Sequence, residues 1–190
     1  MIKAVIFDFF GVICSDEYWQ FVKADRNMDN IFHDLQKSVN LGVISWQDFL
    51  QKVADRTGRN VNAVKHLYES EQINLPLVAY INQLGKKYKT ALLTNASSQF
   101  MQPLLEKTGL KDIFDEVVVS SEIGIIKPNP RIYQYALEKL GVEPAEAVFI
   151  DDFEARVQGA RDLGMHTILY QNFPQMKAEL KKILAAGADN

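Results

Sequence analysis

Four short segments of this chain place chemistry-bearing residues at or near the ends of apolar runs. Asp8 follows the apolar run Lys3-Ala4-Val5-Ile6-Phe7 and opens Asp8-Phe9-Phe10-Gly11-Val12. A carboxylate at the tip of a buried strand costs free energy unless it is paired or used. Thr94-Asn95 ends a second apolar run, and Asp151-Asp152 ends a fourth. Lys127-Pro128 lies between the third and fourth, just before a helical pattern that starts near Pro130. Singly, each has an ordinary explanation. Thr94 suits a helix N-cap, and a lone lysine is usually solvated. Together they bring a carboxylate, a hydroxyl with an amide, a carboxylate pair and an ammonium to one edge. Adjacent carboxylates beside a third favour a cation and oppose an anionic carboxylate ligand.

The elements that must position these groups are legible as a rhythm. Strand character falls at Lys3 to Phe7, Thr90 to Leu93, Val117 to Val119, Ala147 to Ile150 and Thr167 to Tyr170. Helical spacing lies between the later strands. Gln99 to Lys107 stops at Gly109, Pro130 to Leu140 at Gly141, and Glu154 to Leu163 at Gly164, the expected C-terminal stop. This alternation predicts an α/β fold, a parallel sheet with helices on both faces. Ligands of such sheets bind outside the carboxyl ends of the strands, where strand order reverses.

From Ser15 to about Leu75 the rhythm breaks into helical patterns. Ser45-Trp46-Gln47-Asp48 resembles a capping box with Asp in place of Glu, opening a helix through Phe49, Leu50 and Val53. Asn60 to Glu71 carries Val61, Val64, Leu67 and Tyr68 on one face. A final helix is expected from Gln175 to Ala186, with an apolar side for docking on the sheet. The domain reading is a Rossmann-like core of residues 1–14 and 77–190, with a helical insertion at 15–76.

The four segments resemble, in order and approximate spacing, the motifs of the haloacid-dehalogenase-like hydrolase superfamily, in particular its phosphatase branch with a small helical cap. Lys127-Pro128 with Arg131-Ile132-Tyr133, and Asp151-Asp152 with Gly159-Ala160, carry the match in combination. The resemblance covers nearly the whole chain and implies strand order 5-4-1-2-3. It implies that Asp8 is a nucleophile forming an aspartyl-phosphate. It further implies Mg²⁺ held by Asp8, the Phe10 backbone carbonyl, Asp152 and Asp151, the last directly or through water. Thr94 and the Asn95 backbone N–H would hold phosphoryl oxygens, and Lys127 would balance the charge.

One departure matters. Phosphatases of this family usually carry a second Asp, the general acid and base, where this chain has Phe10. Such catalysis is typically worth about 10²–10⁴-fold, roughly 3–5 kcal/mol of barrier. The loss shrinks for good leaving groups, so the expected substrate is a small metabolite with an activated phosphate, an acyl phosphate or a sugar 1-phosphate. Sugar-1-phosphate phosphatases of the family that lack this Asp carry Gly there. Asp16 and Glu17 are candidates to stand in for the absent acid, with helix capping as their ordinary role. Strand alternation sends Phe9 into the core and Phe10 towards the leaving-group pocket. Trp19, Phe21, Lys23, Arg26 and Trp46 are candidate pocket-lining residues, although packing of a small helical core explains the aromatic ones more simply.

Two other readings stand beside the phosphatase. A 2-haloacid dehalogenase shares the Asp nucleophile and has an aromatic residue at the Phe10 position. It uses no metal, and it presents Ser and Asn where this chain has Asp151-Asp152. A non-catalytic binding protein would explain the loss of one catalytic residue, but not the retention of Asp8, Thr94, Lys127 and Asp152.

Composition is ordinary for a soluble globular protein. The 190 residues are 47% hydrophobic with net charge −3, which gives no support for nucleic-acid binding. Cys14, the single cysteine, excludes an internal disulfide and suits a reducing compartment. Asp8 interrupts the N-terminal apolar run too early for a signal peptide. No membrane partner and a cytoplasmic setting are therefore expected. His33, His66 and His166 show no ligand spacing.

Overall fold

A computed structural model describes residues 1–15, 29–69 and 72–186. In chain order the elements are β1 (Ala4–Phe7), α1 (Asp29–Asn40), α2 (Trp46–Thr57), α3 (Val61–Glu69), α4 (Leu75–Leu84), β2 (Lys89–Thr94) and α5 (Ser98–Thr108). They continue with β3 (Glu116–Val119), α6 (Ser120–Ile123), α7 (Pro130–Leu140), β4 (Ala147–Asp151), α8 (Glu154–Asp162), β5 (His166–Leu169) and α9 (Phe173–Ala186).

The strands form one parallel sheet in the order β3-β2-β1-β4-β5, as the motif resemblance implies. Strand pleating divides its side chains between two faces. Val5, Phe7, Leu92, Val148 and Ile150 pack with Leu77, Ile81, Met101, Leu105, Met176 and Leu180. Ala4, Ile6, Leu93 and Phe149 pack with Ile132, Tyr133, Leu137 and Ala160. Helices α4, α5 and α9 therefore cover one face, and α7 and α8 the other. A sheet buried on both sides explains why its strands are apolar throughout rather than alternating.

The helical stops behave as the sequence predicts. Gly109 and Gly141 end their helices with φ of 69° and 64°, a left-handed conformation that glycine adopts without penalty. Ser45 caps α2 by accepting from the Asp48 N–H at 3.0 Å. Helix α4 has no counterpart in the sequence reading. Its segment Leu75 to Ile81 is nearly all apolar, and such a run shows no helical period. Asn74 caps it and Pro76 sits in its first turn, where a missing N–H costs nothing.

Helices α1, α2 and α3 have a small apolar centre of their own, built from Phe32, Val39, Phe49, Leu50, Val53, Val64 and Tyr68. The insertion seats on the core through specific bonds. Ser120 Oγ donates to the Asn40 carbonyl at 2.6 Å and accepts from the Ala96 N–H at 3.0 Å. The Trp46 N–H donates to Gln99 Oε1 at 2.7 Å. Among the described residues, no helix is long and apolar enough to cross a membrane.

Candidate active site

The sheet register builds the centre of the site. Phe7 on β1 lies opposite Ile150 on β4, so the next residue of each strand, Asp8 and Asp151, emerges at the same edge. Both are buried. Lys127 joins them from the loop between α6 and α7. Its Nζ lies 2.8 Å from Asp8 Oδ1 and 2.7 Å from Asp151 Oδ2, and its side chain has no exposed surface. An ammonium so deeply buried needs a paired, hydrogen-bonded anion, and two carboxyl groups flank it.

Asn95 explains how Lys127 is held. The Lys127 N–H donates to Asn95 Oδ1 at 2.8 Å, and Asn95 Nδ2 donates to the Lys127 carbonyl at 3.0 Å. The Lys127–Pro128 peptide is cis. Gly159 on α8 comes so close that a Cβ there would lie 2.9 Å from the Pro128 carbonyl. The end of β2 thus fixes the lysine with its last side chains, and α8 packs hard against the same loop.

Thr94 supplies a different signal. Its hydroxyl is buried and, among the described residues, has no hydrogen-bond partner. Buried polar groups are nearly always paired, so this hydroxyl at a strand end is available to bond a ligand oxygen.

Asp8, Asp151 and Asp152 each offer an oxygen, all within 4.8 Å of one another. Asp152 is exposed while the other two are buried. This donor set, hard carboxylate oxygens converging on one point, fits a divalent cation such as Mg²⁺. Gly11 guards the space: its φ is +78°, and a Cβ there would lie 2.2 Å from Asp152 Oδ2.

The electrostatics follow the burial. Asp8 is pushed up to about 7 by burial first and by Asp151 second, against the opposing pull of Lys127 and Arg156. For Asp151, burial also disfavours the charge, but Lys127 and Arg156 outweigh it and hold the carboxyl below the usual range. The site therefore keeps one acid ionised while the other is poised to be charged by a cation.

Arg156 is the residue that the sequence analysis missed. Its Nη1 lies 3.0 Å from Asp8 Oδ2 and 3.5 Å from Asp151 Oδ1. The Tyr133 hydroxyl donates to its carbonyl at 2.8 Å. An arginine in the first turns of a helix otherwise reads as solvated. The available signal was its place one helical turn beyond Asp152, on the end of the helix that faces the strand edge.

Phe9 is buried in the core, as alternation predicts, and Phe10 is half-buried. The Phe10 ring meets that of Phe9 edge-on at 5.0 Å and stacks on Phe100 of α5 at 6.2 Å. Phe100 in turn contacts Trp46 and Tyr68 of the insertion at 5.0 and 5.5 Å. Trp46 therefore packs within the insertion's aromatic cluster. Asp16, Glu17, Trp19, Phe21, Lys23 and Arg26 lie outside the described residues. Cys14 is buried.

Comparison with known proteins agrees with this geometry. A family model, haloacid dehalogenase-like hydrolase, matches residues 2–164. D-ribitol-5-phosphate phosphatase of Bacteroides thetaiotaomicron is 29% identical over 208 aligned positions, covering 97% of this chain and 99% of the relative. Bifunctional epoxide hydrolase 2 of Mus musculus is 35% identical over 122 positions, 60% of this chain. The chain spans only 22% of that relative's length. Among solved structures, a HAD family enzyme of Bacteroides thetaiotaomicron, an aspartate-to-alanine mutant in complex with magnesium and inorganic phosphate, superposes with a TM-score of 0.75. It is 22% identical, and the match covers 90% of this chain and 95% of that one.

Proposed function

We propose that this chain, which belongs to the haloacid dehalogenase-like hydrolase family, is a Mg²⁺-dependent phosphatase acting on a small metabolite that carries an activated phosphate. The observation that carries the reading is the buried Asp8 carboxylate, 2.8 Å from Lys127 Nζ and grouped with Asp151 and Asp152. Such a cluster stabilises a nucleophile and a transferring anionic group at one point.

Asp8, Asp151, Asp152 and the Phe10 carbonyl would hold the cation, which would neutralise phosphoryl charge and favour an ionised Asp8. Asp8 attacks phosphorus, forming a carboxylate–phosphorus bond as the bond to the leaving oxygen breaks. Lys127 balances charge on the nucleophile and the phosphoryl group. Thr94, whose hydroxyl has no partner among the described residues, and the Asn95 backbone N–H take phosphoryl oxygens. Water then attacks phosphorus, the phosphorus–oxygen bond to Asp8 breaks, and phosphate leaves carrying the protons of the water, which regenerates the Asp8 carboxylate. The Asn95 side chain acts by holding Lys127.

Phe10 supplies neither a proton to the leaving oxygen nor a base for the water. The carboxylate of an acyl phosphate and the anomeric oxygen of a sugar 1-phosphate depart as weaker bases than ordinary alkoxides, so these substrates depend least on that proton. The helical insertion, which contains α1, α2 and α3, serves as a cap over the strand edge, and the approach of its Trp46 to Phe10 through Phe100 supports an apolar leaving-group side. The presence of Asp151 and Asp152 beside Asp8 disfavours a haloacid substrate, whose carboxylate would meet them.

Phosphate release from acetyl phosphate and glucose 1-phosphate, compared with glucose 6-phosphate, tests the reading. Faster Mg²⁺-dependent release from the first two, lost in Asp8→Asn, is expected. Equal or greater release from glucose 6-phosphate would remove the activated-phosphate preference. No release from any of the three would favour a binding protein.

A further inference from the structure

The four oxygens of Asp8 and Asp151 are divided between two cations. Lys127 takes Oδ1 of Asp8 and Oδ2 of Asp151. Arg156 Nη1 takes Oδ2 of Asp8 at 3.0 Å and approaches Oδ1 of Asp151 at 3.5 Å. Oδ1 of each carboxylate also accepts a backbone N–H, from Phe9 at 2.7 Å and from Phe153 at 2.9 Å, so a divalent ion ligated by both carboxylates competes for the remaining lone pairs with Lys127 and Arg156.

The two are not equally held. Lys127 has no exposed side-chain surface and is anchored through its backbone by Asn95. The Arg156 side chain keeps 24% of its surface exposed. Its guanidinium carbon also lies 5.2 Å from the centre of the Phe153 ring, and Phe153 is 57% exposed. Arginine stacks readily on an aromatic face, so the guanidinium has a route to solvent along a surface it already touches.

Charge points the same way. Three carboxylates are balanced by Lys127 and one divalent cation. With Arg156 also in place the cluster carries surplus positive charge, which opposes metal entry.

We infer that Arg156 is a resident counter-cation of the carboxylate cluster, and that Mg²⁺ binds by displacing its guanidinium from Asp8 and Asp151. The inference rests on the Mg²⁺-dependent reading and adds a control on it. Metal affinity is set by competition, so the site loads only where free Mg²⁺ is high enough to outcompete an internal cation. Arg156 acts through the metal ligands and is a positioning residue for them.

Isothermal titration of the metal-free protein with Mg²⁺ tests this, with Arg156→Gln and Arg156→Lys beside the wild type and circular dichroism to check folding. Arg156→Gln is expected to bind Mg²⁺ at least about tenfold more tightly than the wild type. Arg156→Lys, which keeps the charge, is expected to stay closer to the wild type. Mg²⁺ should also raise the melting temperature of Arg156→Gln by more than that of the wild type. Equal or weaker binding by Arg156→Gln, with the wild type still binding, would overturn the role of Arg156 and leave the phosphatase reading intact. Absence of Mg²⁺ binding by all three would overturn both. Where Arg156→Gln does not hold its fold without metal, restoration by Mg²⁺ supports the competition and failure to restore it contradicts it.

Discussion

The ring of Phe10 lies stacked on that of Phe100, with centroids 6.2 Å apart and planes 23° from parallel. The position where phosphatases of this family usually carry an acid is thus a packing residue that ties the end of β1 to α5 and, through Trp46 and Tyr68, to the helical insertion.

Phe10→Asp should therefore have two opposed effects. Phosphate release from unactivated alcohol phosphates rises roughly tenfold or more as proton transfer is restored. Stability falls by about 2 kcal/mol as the two ring contacts are lost and a carboxylate enters a half-buried aromatic site. Steady-state kinetics on glucose 6-phosphate and urea denaturation measure the two separately. Unchanged kinetics would mean that the second acid does not limit turnover.

Lys127→Met leaves Asp8 and Asp151 buried side by side without their shared ammonium. Breaking a buried ion pair by removing one partner costs about 3–5 kcal/mol, and phosphate release should vanish as well. Urea denaturation of metal-free protein decides the first point. Wild-type stability in this variant would mean that Lys127 does not hold Asp8 and Asp151 as a buried ion pair.

The sequence makes the strand-end groups legible for a physical reason. A carboxylate or hydroxyl closing an apolar run stands out against its neighbours, and parallel topology sends all such ends to one edge. Asp8, Thr94 and Asp151 follow from that logic alone, whereas Lys127 is read from its place between the third and fourth strands, ahead of a helix, and from the motif resemblance. Arg156 does not, because a helical arginine on a polar helix looks the same whether it faces solvent or a carboxylate pair. Helix α4 is hidden by the opposite problem, a run too uniformly apolar to show a period. The stacking of Phe10 on Phe100 depends on residues 90 positions apart, which no local pattern reports.

Gly11→Ala tests the space around Asp152. The left-handed backbone at +78° costs an alanine about 1–2 kcal/mol. The new Cβ also collides with the Asp152 carboxylate, 2.2 Å away in the present geometry. Mg²⁺ affinity should fall by about 10–100-fold, the usual effect of misplacing a ligand. Calorimetric titration reads this directly, and wild-type affinity would exclude Asp152 as a ligand.

The raised Asp8 carboxyl makes stability depend on pH. Unfolded Asp ionises near 3.8, whereas folded Asp8 ionises at about 7. Between those values the folded state binds the extra proton, so the Asp8 contribution to stability is full at the acid end and is lost as pH rises towards 7. Asp8→Asn lacks this dependence. In metal-free buffer, the stability of the wild type relative to Asp8→Asn should fall from pH 4 to pH 7 and level off above. Denaturant midpoints across that range check it, and a difference that rises with pH would reverse the assignment.

The most direct test of the central claim is the intact mass of the protein after incubation with Mg²⁺ and acetyl phosphate, beside an Asp8→Asn control. A phosphorylated species in the wild type, absent from the control, is the predicted result, and its slow decay would reflect the missing acid and base at Phe10. No adduct and no phosphate release, with Mg²⁺ binding established, would contradict catalysis by Asp8.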